Sequence, residues 1–268
     1  MNRFFGPPLP RRFGHRGASG THPENTLASF HAALDKGAGA FELDVHRTAD
    51  GEIVVFHDAT LERTTNGSGL LRERSLAELR ELDAGFRFSP EGGRTFPFRG
   101  KGITIPTLRE VCDAFPDTPV VVEIKQVDPP IEEGLAQVLQ STGADDRALV
   151  FSLHQEPVRR YRAAASASLT GFGPDEVAEF LRRVRSDDWD GYRPPGLAFA
   201  VPTHWYGTRI VSGAFVDAAH RVGCEVYVWT VNDPGEMHAL LDLGVDGLIS
   251  DFPERLCQVL TERGTAPE

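Results

Sequence analysis

The chain has 268 residues, 40% of them hydrophobic, a size and composition that can build one substantial α/β core. Its 28 basic and 39 acidic residues give a net charge of −11, and no Lys/Arg block interrupts that balance, which argues against nucleic acid or an anionic membrane as partner. Prolines at 7, 8 and 10 break the N-terminal stretch where a signal peptide needs a continuous apolar run, and no later apolar run reaches about 18 residues, so the expectation is a soluble, cytoplasmic protein without stable membrane insertion, monomeric or homodimeric.

Arg12-Phe13-Gly14 leads into His15-Arg16-Gly17 at the end of a short first strand, followed by a polar loop, Ala18 to His22. Pro23-Glu24-Asn25-Thr26 then opens a helix: Asn25 or Thr26 can cap its free N–H groups, and Leu27, Phe30 and Leu34 recur at helical spacing up to Gly37. In the next strand, Phe41 to Val45, alternation puts Glu42 and Asp44 on one face and Phe41, Leu43 and Val45 on the other. Ala49-Asp50-Gly51 supplies a turn before Ile53 to Phe56, either a hairpin detour or a continuation of the strand, and His57-Asp58 stands where that run stops. Regular alternation is absent from Ala59 to Ile105. A structureless loop of that length is uncommon in a compact domain, so the segment reads as an inserted lobe or a lid. Thr107 caps the next helix, and the strand from Pro119 to Lys125 ends with Glu123 and Lys125 on one face.

From Ile131 onward helices over 131–139, 156–165, 174–184, 212–222, 234–243 and 253–260 alternate with strands over 148–153, 169–172, 197–201, 224–230 and 247–250. About eight short apolar strands alternating with helices predict an α/β fold, a closed TIM (β/α)8 barrel forming one domain over 1–268, with a small inserted lobe over 59–105 after the His-Asp pair. An open doubly wound sheet is the runner-up, disfavoured because no Gly-x-Gly-x-x-Gly follows the first strand. Cys112, Cys224 and Cys257 are odd in number and widely spaced, and read as buried thiols.

In a barrel the C-terminal strand ends converge on one rim. His15, Arg16, Glu42, Asp44, His57, Glu123 and Lys125 all fall at such ends. Three carboxylates facing one mouth repel and resist burial unless a cation neutralises them. All-oxygen ligation by Glu42, Asp44 and Glu123 favours a hard ion, Mg²⁺ or Ca²⁺, with Mn²⁺ compatible, over zinc. Arg16 and Lys125 would face an anionic substrate, and two histidines supply a base and an acid near neutral pH. The sum describes metal-assisted chemistry on a small phosphodiester. Trp229, ending a late strand, is a candidate wall of the substrate site. Other polar residues take blander readings: His31, His220 and His238 as helix-surface residues, His22, His46, His154 and His204 as loop or strand-end residues, Glu24 and Asn25 as braces and caps, Asp246 and Asp251 as turn or capping residues.

At these residues the sequence resembles the glycerophosphodiester phosphodiesterase family. The resemblance rests on HRG at His15 to Gly17, PENT at Pro23 to Thr26, ELDV at Glu42 to Val45 with HRTADG through Gly51, VVFHD at Val54 to Asp58, RTT at Arg63 to Thr65, EIK at Glu123 to Lys125, VWTVN at Val228 to Asn232, and GVDGLISDFP at Gly244 to Pro253. These blocks are collinear over nearly the whole chain. The resemblance implies a TIM barrel with an insertion after the HD motif, metal binding by Glu42, Asp44 and Glu123, acid/base roles for His15 and His57, and phosphate contacts from Arg16 and Lys125. The implied reaction releases glycerol 3-phosphate and an alcohol. His15 is the preferred base and His57 the acid, with the order open, and the nucleophile is water or a neighbouring glycerol hydroxyl. The competing readings are a lysophospholipase D- or sphingomyelinase D-like enzyme, with Phe86, Phe88, Phe96 and Phe98 of the insertion as a lipid-facing patch, and a barrel that binds a phosphoester without turning it over.

Overall fold

The fold was read from a computed structural model, which describes residues 2–6 and 8–264. In chain order the first half comprises β1 (Arg11–His15), α1 (Leu27–Asp35), β2 (Ala40–Arg47), β3 (Ile53–Val55), α2 (Leu76–Arg80), α3 (Leu108–Ala114), β4 (Val120–Ile124), α4 (Glu132–Ser141), β5 (Ala148–Phe151) and α5 (Gln155–Ala164). The second half comprises β6 (Leu169–Thr170), α6 (Pro174–Ser186), β7 (Ala198–Pro202), β8 (His204–Trp205), β9 (Thr208–Arg209), α7 (Gly213–Arg221), β10 (Glu225–Trp229), α8 (Pro234–Asp242), β11 (Gly247–Ser250) and α9 (Pro253–Glu262).

Local chemistry sets these boundaries. The Thr26 hydroxyl accepts from Ser29 N at 3.2 Å to cap α1, Thr107 and Glu110 form a capping box on α3, and α6, α8 and α9 carry proline in their first turn. Eight parallel strands run in the order β6-β5-β4-β2-β1-β11-β10-β7. A single bridge, Gly171 to Ala198, joins β6 to β7 and nearly closes the barrel. The chain path is tight at this seam: a Cβ on Gly196 would lie 2.8 Å from the Gly171 carbonyl oxygen. β3 resolves the open alternative in favour of a hairpin, antiparallel to β2 with Val45 opposite Val55. The β8–β9 hairpin was not expected, because two-residue strands leave no periodicity to read.

Strand parity separates the cores. Phe13, Ala40, Val121, Leu149, Phe151, Ala200, Tyr227 and Ile249 fill the barrel interior. The alternate residues Phe41, Leu43, Val45, Val122 and Ile124 pack outward against helices, as do Phe199, Val226, Val228 and Leu248 on the other side. Phe4, 1% exposed, stacks on Phe13, meets Tyr227 at a tilt and stops the barrel floor. The segment after β3 carries a small cluster, Phe56, Leu61, Leu71, Leu79, Ala84 and Ile105, packed with Val54 of β3. Its phenylalanines are engaged with one another and with arginines: Phe88 meets Phe98 edge to face, and Arg99 lies over Phe86 and Phe96 at 4.1 and 3.9 Å. All four phenylalanines remain partly exposed. Cys112 and Cys224 are buried as expected, while Cys257 is only partly buried. Among the described residues no helix is long and apolar enough to cross a membrane.

Candidate active site

Because Ala40 faces the interior, Glu42 and Asp44, two and four residues on, must face it too. Register then places Asp44 beside Glu123 and His15 beside Glu42. The three carboxylates are 3%, 1% and 6% exposed for Glu42, Asp44 and Glu123, and each offers an oxygen within 4.8 Å of the others.

Three buried acids at that spacing cannot all hold their charge unaided. Burial, reinforced by Asp44, raises Glu42 well above the usual carboxylate range, and burial with Asp44 raises Glu123 to about 7. Burial acts on Asp44 in the same direction, but Lys125, Arg16, His57 and Asn25 outweigh it and hold Asp44 below its ordinary value. Lys125 Nζ donates to Glu123 Oε1 at 2.8 Å and stands 3.3 Å from Asp44 Oδ1. Arg16 Nε lies 3.1 Å from Asp44 Oδ2, to which Asn25 Nδ2 also donates at 2.9 Å. Even so, Glu42 Oε2 and Asp44 Oδ1 are buried without a well-formed hydrogen bond. Two acceptors left short, within a buried three-carboxylate set, fit a hard divalent cation held by Glu42, Asp44 and Glu123.

The HRG turn is bent to present this edge. Arg16 is in the left-handed region with φ 53° and donates its backbone N–H to Glu42 O at 2.8 Å. Gly17 has φ 87°, and a Cβ there would sit 2.4 Å from Ser29 Oγ. A non-glycine residue held in that conformation is the kind of local strain found at functional sites.

Each histidine has a carboxylate behind it. His15 Nδ1 is 2.6 Å from Asp251 Oδ1, with Nε2 on the other side 3.8 Å from Glu42 Oε2. Asp251 is itself fixed by Ser19 Oγ at 2.7 Å and Asn232 Nδ2 at 2.6 Å, and these donors with His15 overcome burial to hold it at about 2. His57 Nδ1 is 2.5 Å from Asp58 Oδ1. Burial lowers the His57 pKa, with Arg16 and Lys125 adding to that effect and Asp44 and Asp58 opposing it. Arg63 joins Asp58 and Glu24, at 2.6 Å to each, and Glu24 accepts from Arg16 at 2.8 Å.

Seven of the residues singled out from sequence therefore form one constellation. Trp229, the eighth, ends β10 on the interior side, with its Nε1 buried and unbonded, but makes no hydrogen bond or ion pair to the acidic groups among the described residues. Two expectations change. Asp251 is the partner of His15, not a turn residue, and Asn25 bonds Asp44 while Thr26 alone caps α1. Glu24 does brace the first loop, as a link between two arginines. The presence of Asp251 and Asn232 in the late VWTVN and SDFP blocks was the available signal. Their sequence distance from His15 hid it.

The family model for the glycerophosphoryl diester phosphodiesterase family matches residues 15–255. A glycerophosphodiester phosphodiesterase of Caldanaerobacter subterraneus subsp. tengcongensis is 32% identical over 93% of this chain and 97% of its own length. Among solved structures, the glycerophosphoryl diester phosphodiesterase domain of a Mycobacterium tuberculosis protein superposes with a TM-score of 0.83 at 22% identity, over 94% of this chain and 99% of that one, a likeness of fold. An Oleispira antarctica phosphodiesterase in complex with its product sn-glycerol-3-phosphate is 28% identical, with a TM-score of 0.76 over 94% of this chain and 97% of that one.

Proposed function

Since the chain belongs to the glycerophosphoryl diester phosphodiesterase family, we propose that it hydrolyses glycerophosphodiesters to sn-glycerol 3-phosphate and an alcohol, with a divalent cation and a pair of histidines. The observation that carries this reading is the buried triad Glu42, Asp44 and Glu123, two of its oxygens short of partners, beside two carboxylate-backed histidines and two cations. We also read 59–105 as a lobe inserted in a single barrel domain.

A cation held by Glu42, Asp44 and Glu123 would supply Lewis-acid polarisation of the phosphoryl oxygens. The protein's own groups do the rest. Arg16 and Lys125 face the non-bridging oxygens and hold the diester in line. With Nδ1–H directed at Asp251 and Asp58, each imidazole is kept in the tautomer that leaves Nε2 for the substrate. One Nε2 takes the proton of the attacking water as the new O–P bond forms. The other gives a proton to the departing alcohol oxygen as the old ester bond breaks, so the pair ends with its protons exchanged and a second proton transfer through solvent resets it. Trp229 is assigned to the wall of the substrate site.

Release of glycerol 3-phosphate from glycerophosphocholine, measured with Mg²⁺ and with Ca²⁺, tests this directly. Activity should vanish in EDTA and return on adding either ion. Full activity in chelator refutes the cation, and silence toward every glycerophosphodiester with Mg²⁺, Ca²⁺ and Mn²⁺ refutes the enzyme.

A further inference from the structure

The two histidines are not held alike. His15 lies on β1 itself, and Asp251 behind it is tied down by Ser19 and Asn232. His57 follows β3, outside the eight parallel strands, so its place depends on what grips it. His46 Nε2 stands 3.1 Å from its carbonyl oxygen, and its ring rests on Asp58. Asp58 in turn is gripped by Arg63, whose Nε donates to Oδ2 at 2.6 Å and whose Nη2 donates to Oδ1 at 3.0 Å. The same guanidinium donates from Nη1 to Glu24 Oε2 at 2.6 Å and from Nη2 to Glu24 Oε1 at 2.7 Å, and Glu24 Oε1 accepts from Arg16 at 2.8 Å. One planar fork thus serves two carboxylates and completes a row of alternating charge: Arg16, Glu24, Arg63, Asp58, His57.

Burial works to raise both carboxyls. Arg63 is the leading group against it at each: with Arg16 it keeps Glu24 below its ordinary value, and with His57 it keeps Asp58 at about 2. Yet the Arg63 side chain is 46% exposed, and ion pairs made that close to water contribute little to stability. Four hydrogen bonds converging on it therefore fix orientation more than they hold the fold, and only a planar group with donors on two edges can fix both carboxylates at once.

We propose that Arg63 is a positioning residue of this site: through Asp58 it sets the ring of His57, and through Glu24 it sets the guanidinium of Arg16, so one side chain from the segment after β3 aligns proton transfer with the grip on phosphate. The proposal rests on the phosphodiesterase reading and adds to it a residue that acts only through others.

Arg63→Met keeps the stem and removes the fork. With glycerophosphocholine as substrate, kcat should fall about 10- to 100-fold, the usual loss when a group supporting an active-site residue is removed, and KM should rise several-fold. A role carried through the two carboxylates has a signature that a fold clasp lacks. Arg63→Met should cost almost nothing more in kcat once Asp58→Asn is present, and almost nothing more in KM once Glu24→Gln is present. The ring gives a readout without turnover: NMR shifts of the His57 ring nitrogens should report the Nδ1–H tautomer in wild type and a mixture in Arg63→Met. Methylguanidinium, admitted by a cavity of about 190 Å³ that Glu24 and Arg63 line, should restore kcat to Arg63→Ala. An Arg63→Met protein that unfolds earlier yet turns over like wild type overturns the proposal. Losses that add in full to those of Asp58→Asn and Glu24→Gln overturn it too, as does an unchanged His57 tautomer. Should Arg63→Met fail to fold, Arg63→Lys, which keeps the charge without the fork, decides: the same kcat and KM changes at smaller size support the role, and wild-type kinetics overturn it. Wild type silent toward every glycerophosphodiester refutes the phosphodiesterase reading and this role with it, whereas an active wild type beside an unperturbed Arg63→Met removes Arg63 alone.

Discussion

The β1–β4 side of the rim and the β5–β7 side spend their burial on opposite kinds of group. On the first, Glu42, Asp44 and Glu123 are taken out of water next to Arg16 and Lys125, and two acceptors stay unmatched. On the second, Phe172 and Phe199 stack at 3.7 Å and Phe180 meets Phe215 at 5.2 Å, and the partly buried charges of Arg162 and Glu176 are paired with each other. Burying polar groups without full pairing costs free energy that apolar packing elsewhere must offset. The contrast teaches where the molecule is stabilised and where it reacts: the aromatic side contributes cohesion, and the acidic side holds the unmet demand that a cation can satisfy.

The sharpest break of this division is Asp44→Asn, which keeps the shape and removes the central charge. Turnover should fall about 10³-fold or more, the scale of several kcal/mol of cation assistance, and calorimetric titration should show cation binding lost. Next, His15→Ala and His57→Ala should each cost about 10²- to 10⁴-fold in kcat with cation binding retained, which separates proton transfer from ligation. Near-normal turnover in either variant would remove that histidine from the chemistry. Asp251→Asn should cost about 10²-fold in kcat with KM little moved, because it frees the His15 ring to take the wrong tautomer.

The same substitution carries a signature in stability. Asp251 is held at about 2 in the folded protein, below the ordinary carboxylate value near 3.9. Its contribution, on the order of 2 kcal/mol, is therefore present above that ordinary value and lost as pH falls toward 2. Urea unfolding should show wild type ahead of the variant at neutral pH, with the gap closing in acid. The smallest expected effect concerns Glu123, raised to about 7 by burial and Asp44. A carboxyl that must lose its proton to bind a cation weakens that binding at low pH, so affinity should fall as pH drops below about 7, by about tenfold per unit for Glu123 alone and more steeply where Glu42, raised as well, must also lose its proton. A pH-independent affinity would show that Glu123 enters the site already ionised.

Much of the acidic side was legible in sequence because it obeys a short rule. Glu42 and Asp44, and again Glu123 and Lys125, are two apart on strands, so parity alone assigns them to one face. His15 sits where β1 stops at the rim, whereas His57 follows β3, off the eight-strand path, and reaches the site because the antiparallel hairpin returns the chain beside Asp44. Asp251 and Asn232 obey no such rule with respect to His15: they become its neighbours only because β11 pairs with β1, placing Gly14 beside Ser250. Glu24 was read as a brace of the first loop, but its link to Arg63 was not, because that partner lies in the insertion 39 residues on. The β8–β9 hairpin and its aromatic tip left no trace, since strands of two residues are too short for a pattern.

The seam between β6 and β7 bears on how the barrel moves. One bridge and the bond from Leu197 N to Thr170 O at 2.8 Å tie those strands, whereas β7 and β10 are matched at five positions. A hoop yields at its thinnest stave, and here that stave lies beyond β5, off the strands β2 and β4 that carry the triad. Amide protons on the Leu169–Thr170 strand and at 197–198 should exchange with deuterium well before those of β2 and β4. The consequence is a hoop expected to open first between β6 and β7 while the strands that carry Glu42, Asp44 and Glu123 keep their pairing.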